Sequence, residues 1–133
     1  MTVPQKVRIA QMEDYYTEYV GKYDDGHQFM ATIVDIAGTP TLLVSYFDAE
    51  GRHIRTEHWS DDDVEALRAR RLSIVEGLDA AFLGDIDVQL FSVNIEGQEV
   101  GLFDESEGPN QPRVVLRPHD FLFCPPWDGH YDT

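Results

Sequence analysis

The chain has 133 residues, 42% of them hydrophobic, which fits one domain over residues 1–133 with an apolar core that needs no metal or disulfide. The net charge of -15, from 10 basic and 25 acidic residues, disfavours binding to nucleic acid or an anionic membrane. A single cysteine, Cys124, excludes an internal disulfide, and the first residues lack the apolar segment of a signal peptide, so we expect a cytoplasmic protein.

The first half of the chain is typical of β-hairpins. Residues 1–14 are predicted to form an irregular arm with one extended piece at Val7–Ile9. Residues 28–36 carry apolar side chains on both alternating faces, which predicts a central strand covered on both sides. Gly38-Thr39-Pro40 breaks this strand, and Asp48-Ala49-Glu50-Gly51 is typical of a type I turn. The next two strands are therefore expected at residues 41–48 and 52–59.

Three tyrosines precede the first long strand at intervals of four. Tyr15, Tyr19 and Tyr23 would share one face of a helix. The same residues could instead belong to an extended piece that leads into a turn at Asp25-Gly26. The spacing alone does not decide between these two structures.

A helix is predicted after Ser60, whose hydroxyl can cap the first amides. The carboxylates of residues 61–63 suit the positive end of the helix dipole, which favours a capping role for them over metal binding. The helix is expected to run to about Phe82, with Gly84 as its stop. Its apolar face would consist of Val64, Leu67, Ile74, Val75, Leu78 and Phe82.

Arg71 falls inside this apolar face. A buried guanidinium without a partner costs several kcal/mol, so Arg71 must reach solvent or meet a carboxylate. We predict a structural ion pair at Arg71, with a binding role as the alternative.

The second half of the chain again has the pattern of hairpins. Residues 86–95 and 98–104 are predicted strands joined by a turn at Glu96-Gly97, and residues 105–112 form a polar loop. Two short strands, 113–116 and 121–123, follow around Pro118. The fold class is therefore α+β, a mostly antiparallel β-sheet built from hairpins with one main α-helix packed on it.

The sequence contains no recognised catalytic signature. Nucleotide-binding, zinc-protease, serine-hydrolase and CxxC motifs are absent, so we assign no catalytic residue, no cofactor and no metal ligand. Cys124 is expected to be packed and inert, because apolar neighbours and an acidic chain raise the pKa of a thiol. The alternative is an enzyme or ligand-binding pocket near His119, Asp120, Cys124 and His130.

The last ten residues, CPPWDGHYDT, combine a fixed extended approach, a turn and two large rings. This tail is predicted to act as a clasp that closes over the body of the protein. The second interpretation is a recognition surface, because Trp and Tyr dominate binding hot spots. The candidate binding residues are Trp59, Arg71, Trp127, Asp128, His130 and Tyr131.

Three stretches, DYYTEYVGKYDDGHQF, YFDAEGRHIRTEHW and PPWDGHYDT, span much of the chain. They resemble small proteins of actinobacteria and other soil bacteria that are labelled formate hydrogenlyase regulatory proteins. The resemblance implies a bacterial, intracellular, non-enzymatic protein, and it implies no catalytic residues.

The composition favours a non-enzymatic acidic interaction protein, either a regulator or an immunity-type inhibitor, that binds a basic protein partner. The alternative is the small enzyme or ligand-binding domain with its pocket near the tail. A third hypothesis is a structural subunit that forms a homodimer through a sheet edge.

Overall fold

A long β-hairpin forms the centre of the protein, whose computed structural model describes residues 3–132. Strand β3 (His27–Ile36) pairs antiparallel with β4 (Thr39–Phe47) through a turn in which Ala37 and Gly38 both have positive φ. Most residues of both strands are buried, on either face of the sheet. The predicted two-sided burial of residues 28–36 is therefore confirmed. Met1, Thr2 and Thr133, which belong to the predicted arm and tail, lie outside the described residues.

Three further strands complete a five-stranded antiparallel sheet. They are β5 (His53–Ser60), β2 (Val20–Tyr23) and β6 (Phe82–Leu83), and the order across the sheet is β5-β4-β3-β2-β6. The predicted break at residues 38–40 is too long, because Pro40 lies within β4, opposite Asp35. The predicted turn before β5 is confirmed: the amide of Gly51 donates to the carbonyl of Asp48 at 3.0 Å.

The tyrosines before β2 do not form a helical face. The backbone from Asp14 to Tyr19 consists of turns, whereas Tyr23 ends the extended strand β2. The extended alternative is therefore correct for the last tyrosine. The turns place Tyr15 and Tyr16 on the surface of the protein.

Helix α1 (Val64–Gly77) covers one face of the five-stranded sheet. Its Leu67 is buried against Phe29 and Leu42 of the sheet, and this cluster is surrounded by Ile74 and Val75 of the helix and by Leu78, which follows it. The N-cap is Asp63, whose carboxylate accepts from the amide of Glu65, and not Ser60, which ends β5. Within residues 3–132, no helix has the length and apolar composition needed to cross a membrane.

The helix ends earlier than predicted. Leu78 leaves the helix with an extended backbone (φ -74°, ψ 140°), and Phe82 becomes part of strand β6. Phe82 is 60% exposed, so its assignment to the apolar helix face was wrong. Gly84 likewise does not stop the helix, since its amide donates to the carbonyl of Val20 beside the sheet. Pairing with the free edge of β2 replaces the predicted continuation of the helix.

A second antiparallel sheet covers the other face. It consists of β8 (Phe91–Ile95), β9 (Gln98–Asp104), β10 (Val114–Arg117) and β11 (Phe121–Phe123), in the order β11-β10-β9-β8. The predicted strand 86–95 is interrupted, because the amide of Gln89 donates to the carbonyl of Gly51. Its first part, β7 (Ile86–Val88), pairs with β1 (Val7–Ile9), which confirms the predicted extended piece. The α+β prediction, with mostly antiparallel sheets and one main helix, is confirmed.

Gly21 allows β6 to approach β2, and we expect Gly21→Ala to disturb this edge. A Cβ atom at Gly21 would lie 2.1 Å from the carbonyl oxygen of Phe82, so the strand would have to move. Overpacking of this kind costs about 1–3 kcal/mol. The control is Gly77→Ala in the helix, where a Cβ would meet no neighbouring atom within 4 Å. Urea denaturation should show a loss of stability for the first variant only, and equal stability would contradict the packing of β6.

Candidate functional site

The C-terminal tail is bound to the body of the protein through its backbone. The amide of Ala10 donates to the carbonyl of Gly129 at 2.9 Å, which joins the tail to the segment after β1. Leu122 and Asp132 exchange two backbone hydrogen bonds of 2.8 and 2.9 Å, so the tail also extends the second sheet beyond β11. These contacts are those expected of a clasp.

The side chains of the tail divide into packed rings and exposed polar groups. Trp127 and Tyr131 pack against the core between the sheets, and the ring of Tyr131 stacks on Phe121 with centroids 4.1 Å apart. Asp128 and His130 are exposed, and the carboxylate of Asp128 accepts from the amide of His130 within the turn. The two rings therefore close the body, while the turn between them faces solvent.

The titratable groups near the tail do not share one pocket. Cys124 is exposed, which corrects the prediction of a packed thiol, because the chain turns outward directly after β11. It lines a surface groove with Pro112 and Leu122, whereas His119 lies in a different groove. In the part of the chain that the structure describes, no three His, Cys, Asp or Glu side chains are grouped so that they could hold a metal ion.

Trp59 and Arg71 lie on the face of the five-stranded sheet that α1 covers. Trp59 packs against the core under the helix, and the guanidinium of Arg70 lies 5.3 Å from its ring centroid. Arg71 lies over the ring of Tyr19 at 4.2 Å. The six predicted binding residues therefore do not form a single site.

The predicted ion pair at Arg71 is not formed. Within residues 3–132, Arg70 and Arg71 are the arginines without a carboxylate oxygen within 4.0 Å. The buried Nε of Arg71 has no hydrogen-bond partner there either. Burial lowers the pKa of this guanidinium, and Tyr19 and Glu18 partly oppose that effect. An arginine nevertheless stays charged, so a half-buried cation rests on an aromatic ring.

Arg71 lines a groove of about 650 Å³ between α1 and the turns before β2, which we call the helix groove. Tyr15, Tyr16 and Glu18 form one wall and Arg68 and Arg71 the other, while Ile33 of β3 lies between them. No pattern in the sequence predicted this groove. The helix and the turns meet there only because both pack on the same face of the sheet.

A second groove, of about 390 Å³, shares Tyr16 and Ile33 with the helix groove and contains His119. The imidazole of His119 packs against the rings of Tyr16 and Phe121, at centroid distances of 4.1 and 5.1 Å, and these two rings also contact each other at 5.6 Å. Burial lowers the pKa of His119 below its usual value, and the Ile33 backbone and Asp120 partly oppose this shift. His119 thus lies in a cluster of aromatic side chains whose burial disfavours the protonated imidazole.

A different surface combines apolar and acidic side chains, and we call it the acidic edge. It consists of Asp24, Asp79, Phe82, Leu83 and Asp85, all of them exposed. The amide of Asp24 donates to the carbonyl of Asp79 at 2.8 Å, which brings the two loops together. Phe82 and Leu83, 60% and 44% exposed, form β6 at the outer edge of the sheet.

Comparison of the chain with protein-family models, curated proteins and solved structures found no match. The resemblance to proteins labelled formate hydrogenlyase regulatory proteins therefore stays a prediction.

Two substitutions of Tyr131 distinguish the contribution of its ring to stability from the contribution of its hydroxyl group. Within the described residues, the buried hydroxyl lacks a hydrogen-bond partner of good geometry, although Thr17 and the Tyr16 backbone are near enough to oppose the rise in pKa that burial causes. We expect Tyr131→Phe to keep wild-type stability, because no completed hydrogen bond is lost. Tyr131→Ala should lose about 2–4 kcal/mol in chemical denaturation, because the ring leaves the core. A stable Ala variant would contradict the clasp.

The depressed pKa of His119 predicts a loss of stability in mild acid. The unfolded chain binds a proton at His119 near pH 6.5, whereas the folded protein resists protonation. This stability is therefore present above pH 6.5 and is lost as the pH falls through the lower folded-state pKa. His119→Gln should reduce the difference in unfolding free energy between about pH 7.5 and 5.5, above the range of most carboxylates. A His119→Gln variant with the same pH dependence as the wild type would refute the assignment.

Proposed function

We propose that this protein is a non-enzymatic interaction protein that binds a basic protein partner through the acidic edge. The observation that carries the proposal is the exposure of Phe82 and Leu83 at a sheet edge, next to carboxylates. Large exposed apolar side chains with a polar rim are typical of protein-binding surfaces. A regulator or an immunity-type inhibitor would act in this way, by covering part of its partner.

Charge selects the kind of partner. Asp24, Asp79 and Asp85 are exposed around the apolar pair, and the chain as a whole carries a net charge of -15. Even with Lys22, which lies opposite Phe82 in the β2–β6 register, the edge stays negative. Complementary charge speeds association and disfavours other partners, so a surface rich in Lys and Arg fits this edge.

The same charges argue against a homodimer at this edge. A two-fold contact would place the carboxylates of one copy against those of the other. Opposition of like charges across an interface costs free energy, and this cost is largest at low salt. A basic protein is therefore favoured over a second copy as the occupant.

The proposal is tested with variants that keep the fold and change only the acidic edge. Asp79→Asn with Asp85→Asn removes two charges and retains side-chain shape. The carboxylate of Asp85 accepts from the amide of Gln11, and the side-chain oxygen of an asparagine at this position can do the same. Phe82→Ser removes the exposed ring. The charge-matched control is Glu96→Gln with Glu99→Gln, two exposed residues in the turn after β8 and in the first part of β9.

Each purified variant is immobilised and exposed to a lysate of the native host, and bound proteins are quantified by mass spectrometry. We expect a basic protein on the wild type and the control, reduced about tenfold on both edge variants. It should also be released near 1 M salt, where the Debye length is about 3 Å. Capture of the same proteins by all variants, or of none by the wild type, would contradict the proposal.

A further inference from the structure

The helix groove contains the guanidinium of Arg71, which has no carboxylate oxygen within 4.0 Å in residues 3–132. Arg8, Arg113 and Arg117 each form a close pair with a carboxylate, at 3.0, 2.8 and 2.6 Å. Arg71 differs, because it touches an aromatic ring on one side and opens to the groove on the other. Its Nε is buried without an acceptor in the described part of the chain.

We infer that the helix groove binds a small organic acid, with its carboxylate at Arg71 and its apolar body on the groove floor. A guanidinium offers donors in a fixed planar arrangement that matches the two oxygens of a carboxylate. The guanidinium of Arg71 lines the groove and has no carboxylate oxygen within 4.0 Å in residues 3–132, so a ligand carboxylate that reaches it from the groove adds a charge-assisted hydrogen bond. This site shares no residue with the acidic edge and is independent of the proposed function.

The floor and walls of the groove fit an apolar body. Ile33 and Val64 supply aliphatic surface, and the rings of Tyr15 and Tyr16 are 61% and 52% exposed beside them. The volume of about 650 Å³ lies within the range usual for small-molecule sites. An aromatic or branched acid can therefore place its ring against these side chains while its carboxylate reaches Arg71.

The surrounding charges favour a single negative charge on the ligand. Glu18 and Asp14 lie on the wall opposite the arginines, and Arg68 is already paired with Glu65. These two carboxylates would repel a phosphate dianion, and the single positive charge of Arg71 would offset only one of its two negative charges. A monocarboxylate needs only Arg71, so we expect it to bind more tightly than a phosphate ester of similar size.

The test is an NMR titration of the ¹⁵N-labelled full chain with three probes: 3-phenylpropionate, 3-phenylpropionamide and phenyl phosphate. We expect the acid to shift amide signals of residues 14–18 and 64–71. The neutral amide should bind about tenfold more weakly, because it lacks the charge that pairs with the guanidinium. Phenyl phosphate should also bind more weakly than the acid.

Variants assign the site to its residues. Arg71→Met should weaken binding of the acid about tenfold. The charge-matched control Arg52→Met, at an exposed turn outside the groove, should leave it unchanged. Should Arg71→Met fail to fold, Tyr15→Ser serves instead, since this ring is 61% exposed and its removal costs only an edge contact with Tyr131, and binding should again weaken. Equal binding of acid and amide, tighter binding of the phosphate, or undiminished binding to the folded groove variants would overturn the inference.

Discussion

The two-sided burial of β3 and β4 determines where the rest of the chain can go. These strands present apolar side chains to both faces, so the hairpin is unstable in water until two separate layers cover it. The second sheet covers one face, and the helix covers the other. The helix has 14 residues and spans about 21 Å, whereas the 10 residues of β3 span about 33 Å. The cover on the helix side is therefore incomplete, and the helix groove lies beside it, with Ile33 on its floor.

The acidic edge exists because helix α1 ends at Gly77, earlier than its apolar spacing predicts. After Gly77 the chain leaves the helix and returns to pair with β2, so Phe82 and Leu83 lie at a sheet edge and not on a buried helix face. Asp79 and Asp85 flank them as a direct consequence of chain order. The two surfaces thus differ in electrostatics: the acidic edge is dominated by carboxylates, whereas the helix groove presents a cation. The partner proposed for the acidic edge and the ligand proposed for the helix groove therefore carry opposite charges.

Features that depend on residues close together in the sequence were predicted correctly, whereas features that depend on distant residues were not. The strand at residues 28–36 and the turn closed by Gly51 depend on short-range patterns, and both were predicted correctly. The helix end was not, because Leu78 and Phe82 continue a helical spacing and only the distant edge of β2 competes for them. The partner of Arg71 was missed for the same reason, since Tyr19 lies far from it along the chain. The helix groove had no sequence signal, because its walls come from two segments that meet only in the folded state.

Native-state hydrogen exchange tests this account most directly. Amides of β3 and β4 should exchange slowest, because only global unfolding exposes a strand that is covered on both faces. The amides of residues 79–83 that do not bond to β2 should exchange fast, because there the chain has left the helix. Helix-like protection that continues from Gly77 through Phe82 would show that this segment belongs to the helix. That result would remove the acidic edge and contradict the account.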